Sequence, residues 1–126
     1  MLKTILIDDE SAPIEIVRYF LRKYFADSVE VIDTARSADE AYLKINKQNP
    51  DFIFLDFNMP RGYGYDLLER FPARDFDVIV MTAHPGYEKK AMEYGIAGFL
   101  HKPVEPDELI QCVRRVVERR TGVRPE

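Results

Sequence analysis

The chain has 126 residues, which suits one domain of ordinary size and is too short for two. Apolar residues make up 46% and charged residues 32%, a composition typical of a globular protein and unlike a disordered tail. Lysine and arginine number 18 against 22 aspartate and glutamate, and the net charge of −4 argues against a surface built throughout for nucleic acid. One cysteine excludes an internal disulfide and a multi-cysteine zinc site.

The sequence has no apolar run near the ~20 residues of a membrane span, and its start lacks the long apolar stretch of a signal peptide. We therefore expect a cytoplasmic protein with no membrane partner. We expect one domain over residues 1–120, with residues 121–126 forming a C-terminal tail or the start of a linker.

Short apolar runs recur along the chain and predict five strands. Several of them are continuous and rich in β-branched or aromatic residues, a pattern typical of strands that are buried on both faces. The predicted strands cover residues 4–7, 29–32, 52–55, 78–81 and 98–100.

Helical patterns fill the segments between these runs. Pro13 suits a first helical turn, and Gly95 suits the left-handed position after a helix. The sequence Ser-Ala-Asp-Glu at 37–40 is typical of a capping box and predicts a helix that stops before Asn49. The five predicted helices cover about residues 14–24, 37–48, 65–71, 87–94 and 105–120.

Strand and helix therefore alternate along the whole chain. Because crossovers between parallel strands are right-handed, this order predicts an α/β three-layer sandwich, with a parallel sheet between helices. We expect a doubly wound five-stranded sheet in the order 2-1-3-4-5, the flavodoxin-like arrangement. Ligands of such sheets bind beyond the carboxyl ends of the strands, at the switch point between strands 1 and 3.

Acidic residues gather at this predicted edge. Asp8 and Asp9, followed by Glu10, end the first strand, and Asp56 ends the third. Two unit charges ~5 Å apart repel by about 3 kcal/mol at an effective dielectric of about 20, and Lys102 offsets only part of that repulsion. A hard cation with oxygen ligands would complete the balance, and Mg²⁺ suits such a site. The alternative is an acidic rim that is simply solvated.

The residues that end the strands follow a specific order: an acidic pair, an aspartate, a threonine and a lysine. Together with the run Asp-Phe-Asn-Met-Pro-Arg-Gly-Tyr-Gly at 56–64, they resemble the receiver domains of two-component response regulators. The resemblance extends from about Lys3 to Arg120. The short segment between Thr82 and Lys102 is similar to that of receivers fused to LytTR-type DNA-binding domains.

The resemblance implies where the phosphoryl group and the metal bind. Asp56 corresponds to the phosphoacceptor and is also part of the metal site. Asp8 and Asp9 correspond to the acidic pair that holds Mg²⁺, and the backbone carbonyl of Asn58 to a further metal contact. A carboxylate is a poor nucleophile toward phosphorus until charge on the phosphoryl group is neutralised, which Mg²⁺ and Lys102 would do.

The resemblance also implies a switch. Thr82 corresponds to the hydroxyl residue that contacts the phosphoryl group, and Phe99 to the aromatic residue that turns inward when the threonine moves. The surface formed by the fourth helix, the fifth strand and the fifth helix would change as a result. The catalytic Lys102 would be joined to Pro103 by a cis peptide bond, a state that only X-Pro bonds reach at modest cost.

These roles imply a signalling domain that acts on itself and has no separate turnover substrate, and therefore not an enzyme in the ordinary sense. The phosphodonor would be a sensor histidine kinase. An output domain or target protein would read the switch surface, and a homodimer through that surface is a further expectation. We expect no direct nucleic-acid binding by this segment. Whether the domain is free-standing or part of a longer regulator stays open.

Three other classes of protein share parts of this pattern. A flavodoxin-type flavin protein would need a hydroxyl- and amide-rich phosphate loop where this chain has acidic residues at 8–10. A phosphatase with an aspartate nucleophile usually carries Asp-x-Asp after its first strand and has a larger chain, whereas Glu10 stands at the third place here. A pseudo-receiver that only binds proteins would typically have lost Asp56, Lys102 or an acidic partner.

Three residues beside the predicted site keep two interpretations each. Glu10 either touches a metal-bound water or is a solvated acid that favours the start of a helix. His84 lies two residues after Thr82, at the mouth of the site, and is either a modulator of the phosphate lifetime or an incidental loop residue. His101 is either a pH-sensitive neighbour of Lys102 or incidental.

Overall fold

The structure, a computed structural model, describes residues 1–59 and 64–123. Residues 60–63 of the predicted motif and residues 124–126 of the predicted tail lie outside the described residues. The predicted alternation of strand and helix is confirmed. The strands are β1 (Leu2–Ile7), β2 (Val29–Ala35), β3 (Phe52–Asp56), β4 (Asp77–Thr82) and β5 (Gly98–His101), and the helices are α1 (Ser11–Tyr24), α2 (Ala38–Gln48), α3 (Gly64–Glu69), α4 (Glu88–Met92) and α5 (Pro106–Thr121).

All five strands lie in one parallel sheet in the order β2-β1-β3-β4-β5, which confirms the predicted topology. The register sets which strand ends are neighbours. Ile7 pairs with Leu55 across β1 and β3, and Asp56 pairs with Met81 across β3 and β4. The residues just beyond these pairs therefore leave the sheet at one edge, over the switch point between β1 and β3.

The sheet separates two apolar layers. α1 and α5 share one buried cluster with Phe52 and Phe54. α2, α3 and α4 share the other with Ile53 and Leu55. Successive residues of β3 point to opposite faces, which is why a continuous apolar run is needed where both faces are covered. Each fully buried aliphatic side chain contributes roughly 1.5–3 kcal/mol of burial free energy.

The start of α2 differs in one detail from the predicted capping box. The Ser37 hydroxyl oxygen accepts the N–H of Glu40 at 3.1 Å, as predicted. The Glu40 carboxylate, however, accepts the N–H of Arg36 at 2.7 Å and not that of Ser37. The second bond of the box is thus displaced by one residue, while both bonds still satisfy N–H groups at the helix start.

The ends of α3 and α4 are tighter than predicted. The N–H groups of Arg70 and Phe71 donate to carbonyls three residues back, at 3.1 and 3.0 Å, so α3 ends at Glu69 in a 3₁₀-type turn before Pro72. The predicted helix over 87–94 is divided into a 3₁₀ turn (Pro85–Tyr87), α4 and a further tight turn. Gly95 adopts the predicted left-handed conformation, with φ of 68°.

The last helix runs one residue further than predicted. α5 ends at Thr121, and Gly122 caps it in the left-handed conformation with φ of 74°. Over residues 1–59 and 64–123, the structure contains no helix with the length and apolar character that crossing a membrane requires.

Candidate phosphoacceptor site

The carboxyl ends of β1 and β3 bring two buried carboxylates side by side. Asp8 is fully buried and Asp56 is 3% exposed, although aspartate is rarely buried without a partner. The backbone holds both strand ends in the sheet. The N–H of Asp8 donates to the carbonyl oxygen of Ala35 at 3.0 Å, and the N–H of Phe57 donates to that of Met81 at 3.1 Å.

A lysine ammonium bridges these two carboxylates. Lys102 follows β5, and its backbone N–H donates to the carbonyl oxygen of Thr82 at 2.9 Å. Its Nζ lies 2.6 Å from Oδ2 of Asp8 and 3.3 Å from Oδ2 of Asp56. Because the lysine side chain is only 13% exposed, water screens these charges weakly. Residues from three different strand ends therefore meet at one point.

The ion pair does not fully compensate the burial of Asp8. Removal from water raises the pKa of the Asp8 carboxyl from 3.8 to about 6, against the lowering effect of the hydrogen bonds from Lys102 and the Glu10 N–H. Burial acts to lower the pKa of Lys102, but the hydrogen bond to Asp8 and the charge of Asp56 outweigh it and raise that pKa. The site therefore holds more negative charge than Lys102 neutralises.

The acidic cluster after β1 fits a hard cation. Asp8, half-buried Asp9 and exposed Glu10 each offer a carboxylate oxygen, and these oxygens lie within 4.8 Å of one another. The Glu10 N–H donates to Oδ1 of Asp8 at 3.0 Å, which orients the buried carboxylate. An oxygen-only donor set with surplus negative charge is the chemistry that Mg²⁺ prefers, since it accepts one or two carboxylates and keeps several waters.

The loops after β3 and β4 contribute the next groups. The N–H of Asn58 donates to Oδ1 of Asp56 at 3.0 Å and fixes the orientation of that carboxylate. Thr82 is fully buried, and its hydroxyl oxygen accepts the N–H of His84 at 3.0 Å. Since the hydroxyl accepts this bond, its own proton is free to donate to an incoming oxygen.

Asn58 and His84 are in direct contact, which was not predicted from the sequence. Nδ2 of Asn58 lies 2.6 Å from Nε2 of His84, and both side chains are exposed at the mouth of the site. The sequence does indicate that the two residues are near each other. Asn58 lies two positions after Asp56 at the end of β3, His84 lies two positions after Thr82 at the end of β4, and β3 and β4 are neighbours in the sheet. The spacing alone does not show that the two side chains touch.

The predicted switch residue lies beside the site, on β5. Phe99 is half-buried and packs against the apolar layer that α2, α3 and α4 cover. Its ring centroid lies 5.1 Å from that of the exposed His101 ring. The peptide bond between Lys102 and Pro103 is cis.

A known family accounts for this arrangement. The chain matches the family model of the response regulator receiver domain over residues 4–114. The chain therefore belongs to the response regulator receiver domain family, whose members function in two-component systems.

Curated relatives of the chain are regulators of bacteria. An uncharacterized response regulatory protein of Vibrio cholerae is 36% identical over 122 residues, which cover 94% of this chain and 50% of that protein. The transcriptional regulatory protein BtsR of Salmonella typhi is 30% identical, with 96% of this chain and 50% of that protein covered. The chain thus spans about half the length of the curated relatives it matches.

Solved structures share the fold. The receiver domain of AraT from Geobacillus stearothermophilus superposes with a TM-score of 0.85 at 24% identity, covering 96% of each chain. The receiver domain of the Francisella response regulator 1452 superposes with a TM-score of 0.78 at 26% identity, covering 96% of this chain and 100% of that one.

Proposed function

We propose that this chain is a phosphoacceptor receiver domain of a two-component phosphorelay that takes a phosphoryl group onto Asp56. The observation that carries the proposal is the position of Lys102 Nζ, 2.6 Å from Asp8 and 3.3 Å from Asp56. A purely structural ion pair needs one anion for each cation, whereas this site buries surplus negative charge. We assign the receiver to the chain up to the end of α5 at Thr121, one residue beyond the predicted boundary at 120.

In the proposed reaction, a carboxylate oxygen of Asp56 forms a bond to phosphorus. The bond between phosphorus and a histidine ring nitrogen of the donor breaks, and that nitrogen keeps the electron pair. The product is an acyl phosphate, which water later hydrolyses. Because the Asn58 N–H holds Oδ1 of Asp56 at 3.0 Å, the carboxylate enters the reaction already oriented.

Lys102 and Thr82 supply the electrostatic part of the reaction. The Lys102 ammonium lies within reach of Asp56 and is suited to neutralise charge on the transferred phosphoryl oxygens. The Thr82 hydroxyl has its oxygen occupied by the His84 N–H and is free to donate its proton to a phosphoryl oxygen. Both groups are largely buried, so each interaction acts in a medium of lower dielectric than water.

Asp8, Asp9 and Asp56 would hold Mg²⁺ together with the backbone carbonyl of Asn58. The ion, when bound, would supply further positive charge at the phosphoryl oxygens. Burial raises the pKa of Asp8 to about 6, and the positive charge of the ion would make the ionised form of this carboxylate less costly.

The proposed readout begins at Thr82. When its hydroxyl moves toward the phosphoryl group, space opens for the half-buried Phe99 ring to turn inward. The surface of α4, β5 and α5 would then change and alter the binding of an output domain, a target protein or a second copy of the chain.

An apolar groove beside the site is suited to receive the phosphodonor. It has a volume of about 360 Å³, and its lining passes from Ile16 of α1 to Val104 and includes Lys102 and Glu10. Ile16 is 41% exposed, so part of this apolar surface faces solvent. A sensor histidine kinase seated there would bring its phosphohistidine close to Asp56.

Intact-mass measurement after incubation with acetyl phosphate and Mg²⁺ tests the proposal. We expect wild type to gain the mass of one phosphoryl group and Asp56→Asn to gain none. Asp27→Asn is the matched control, because Asp27 is exposed and lies just before the start of β2, at the opposite edge of the sheet. It should gain the same mass as wild type. Labelling of the Asp56→Asn protein, or none in wild type, would contradict the assignment.

A further inference from the structure

The residue after the proposed acceptor is the centre of an aromatic cluster. Phe57 is fully buried. Its ring lies edge-on to three tyrosine rings, with centroid distances of 5.8 Å to Tyr65, 6.3 Å to Tyr87 and 6.3 Å to Tyr94. Edge-to-face aromatic pairs attract one another beyond their contact area. Tyr87 precedes α4 and Tyr94 follows it, so one ring contacts both ends of this helix.

α4 itself is short and buries little surface of its own. It has five residues, too few for a stable helix on its own. Ala91 is its buried residue, and Met92 is 60% exposed. Within the helix, Lys90 Nζ lies 4.2 Å from the centroid of the Tyr65 ring. The aromatic contacts with Phe57 therefore position α4 together with the hydrogen bonds of Tyr94, whose carbonyl oxygen accepts the Arg74 guanidinium and whose hydroxyl donates to Glu69.

The backbone around Phe57 is tightly packed. Its N–H donates to the Met81 carbonyl at 3.1 Å, and its carbonyl oxygen accepts the N–H of Gly64 at 3.0 Å. A Cβ on Gly64 would collide with the carbonyl oxygen of Asp56, which shows how closely α3 approaches this backbone. A packed region transmits a displacement instead of absorbing it. A shift at Asp56 would therefore be passed to the Phe57 ring.

The next residue provides a second link to the same helix. Asn58 contacts His84 at 2.6 Å, and the His84 ring stands edge-on to Tyr87 with centroids 5.9 Å apart. Two consecutive residues after Asp56 thus reach the start of α4, one through the buried cluster and one at the surface.

We propose that Phe57 couples the phosphorylation state of Asp56 to the position of α4 through its own ring contacts, in addition to the route through Thr82 and Phe99. The inference rests on the proposed function of Asp56 as phosphoacceptor. A phosphoryl group adds charge and three acceptor oxygens to the Asp56 side chain. The adjoining backbone adjusts, the Phe57 ring moves against Tyr87 and Tyr94, and α4 follows.

Hydrogen exchange of the α4 segment, residues 85–95, tests this coupling. Wild type is compared with and without acetyl phosphate and Mg²⁺, and intact mass of the same samples reports phosphate uptake. We expect phosphorylation to change exchange in wild type and Phe57→Leu to lose roughly half or more of that change while still taking up phosphate. Phe76→Leu is the matched control, because Phe76 is buried in the same apolar layer and its ring contacts Phe71. It should keep the wild-type response.

A pair of substitutions at Tyr94 keeps the test decisive if Phe57→Leu fails to fold. Tyr94→Phe keeps the ring against Phe57 and removes only the hydroxyl that donates to Glu69 at 3.0 Å. Tyr94→Leu removes the ring as well. We expect the exchange response to survive in Tyr94→Phe and to weaken in Tyr94→Leu.

The outcomes separate this inference from the proposed function. A full exchange response in phosphorylated Phe57→Leu or Tyr94→Leu would overturn the coupling and leave Asp56 as acceptor. Unchanged hydrogen exchange of the α4 segment in phosphorylated wild type would also overturn the coupling. If wild type takes up no phosphate, the proposed function fails and the coupling fails with it.

Discussion

The two edges of the sheet carry their charges in opposite ways. At the carboxyl edge, the buried Asp8 and Asp56 share the ammonium of Lys102, with Asp9 alongside. At the amino edge, where β3 and β4 begin, two carboxylates, of Asp51 and Asp77, lie against two guanidinium groups. Arg120 Nε lies 2.7 Å from Oδ2 of Asp77.

Further contacts neutralise the carboxylates of Asp77 and Asp51 at the amino edge. Arg119 lies 2.9 Å from the other oxygen of Asp77. Arg120 also reaches Asp51 at 3.9 Å, and the Lys3 N–H donates to Asp51 at 2.7 Å. These side chains are between 23% and 56% exposed, so water already screens them.

This difference separates charges that fasten the fold from charges that are kept for chemistry. Exposed, matched pairs cost little to form and add modestly to stability. Buried, unmatched carboxylates cost stability, as the raised pKa of Asp8 shows, and such groups cluster at functional sites. The contrast predicts that substitutions at the carboxyl edge change phosphorylation strongly, whereas those at the amino edge change only stability.

Lys102→Met should have the largest effect. Removing the ammonium leaves the charge of the phosphoryl group without its protein counterion, and we expect phosphate uptake to slow about 100-fold or more. The measurement is the rate of mass gain with acetyl phosphate and Mg²⁺. Lys3→Met, which removes an exposed lysine at the start of β1, at the amino edge, is the control. Equal rates in the two variants would remove the distinction between the edges.

Asp8→Asn should stabilise the metal-free fold. Because the folded pKa of Asp8 is about 6 against 3.8 unfolded, ionisation costs wild type stability as the pH rises from about 4 to 6. Above that window the variant should be more stable by up to about 3 kcal/mol, since one pKa unit is about 1.4 kcal/mol.

Urea unfolding in EDTA at pH 4, 6 and 7.5 measures this difference. We expect the two proteins to differ least at the lowest pH, and Mg²⁺ to stabilise wild type more than the variant. A less stable Asp8→Asn protein at neutral pH in EDTA would show that Lys102 compensates the buried carboxylate after all.

Arg120→Met should weaken the amino edge alone. It removes the contacts to Asp77 and Asp51 and the hydrogen bond to the Asp75 carbonyl, and we expect a loss of about 1–2 kcal/mol of unfolding free energy. Arg119→Met, at a more exposed side chain, should cost about 0.5 kcal/mol or less. Phosphate uptake should stay at the wild-type rate in both, and a slowed rate would link the two edges.

The smallest effect concerns a carboxylate whose pKa moves the other way. Burial acts to raise the pKa of Asp33, but hydrogen bonds from Gln48 at 2.7 Å and Lys44 at 3.1 Å outweigh it and lower that pKa. Its contribution is therefore present above the unfolded pKa and disappears as the pH falls through the lower folded value. Asp33→Asn should cost roughly 0.5 kcal/mol at pH 7, and this difference should shrink in acid. A difference in unfolding free energy between wild type and Asp33→Asn that grows as the pH falls would contradict a lowered pKa for Asp33.

Periodicity and turn chemistry predicted most of the fold. Several strands are continuous apolar runs because both faces of the sheet are covered, and Gly95 adopts the predicted left-handed conformation in the turn that follows α4. The helix ends were less predictable. α3 stops at Glu69 and α4 covers only five residues, because the backbone N–H groups after both helices donate to carbonyls three residues back and not four. Tertiary packing decides between these two hydrogen-bond patterns.

The candidate site was predictable as a set of residues and not as a geometry. Parallel strands deliver their carboxyl ends to one edge, so Asp8, Asp56 and Lys102 were expected to meet. Side-chain rotamers decide which carboxylate oxygens share the Lys102 ammonium, and they also bring Asn58 against His84. The spacing of residues in the sequence does not specify these rotamers. The aromatic cluster around Phe57 was not predicted either, because Tyr87 and Tyr94 are distant from Phe57 in the sequence.

By itself, the order of apolar runs, caps and strand-end residues determined the sheet, its topology and the chemical types at its carboxyl edge, because local propensity and the handedness of crossovers leave few alternatives. Only the tertiary structure decided how deeply Asp8 is buried, how Lys102 is shared and how Phe57 holds α4. Burial and side-chain contact arise from residues far apart in the chain, and electrostatic and packing energies depend on the distances between them.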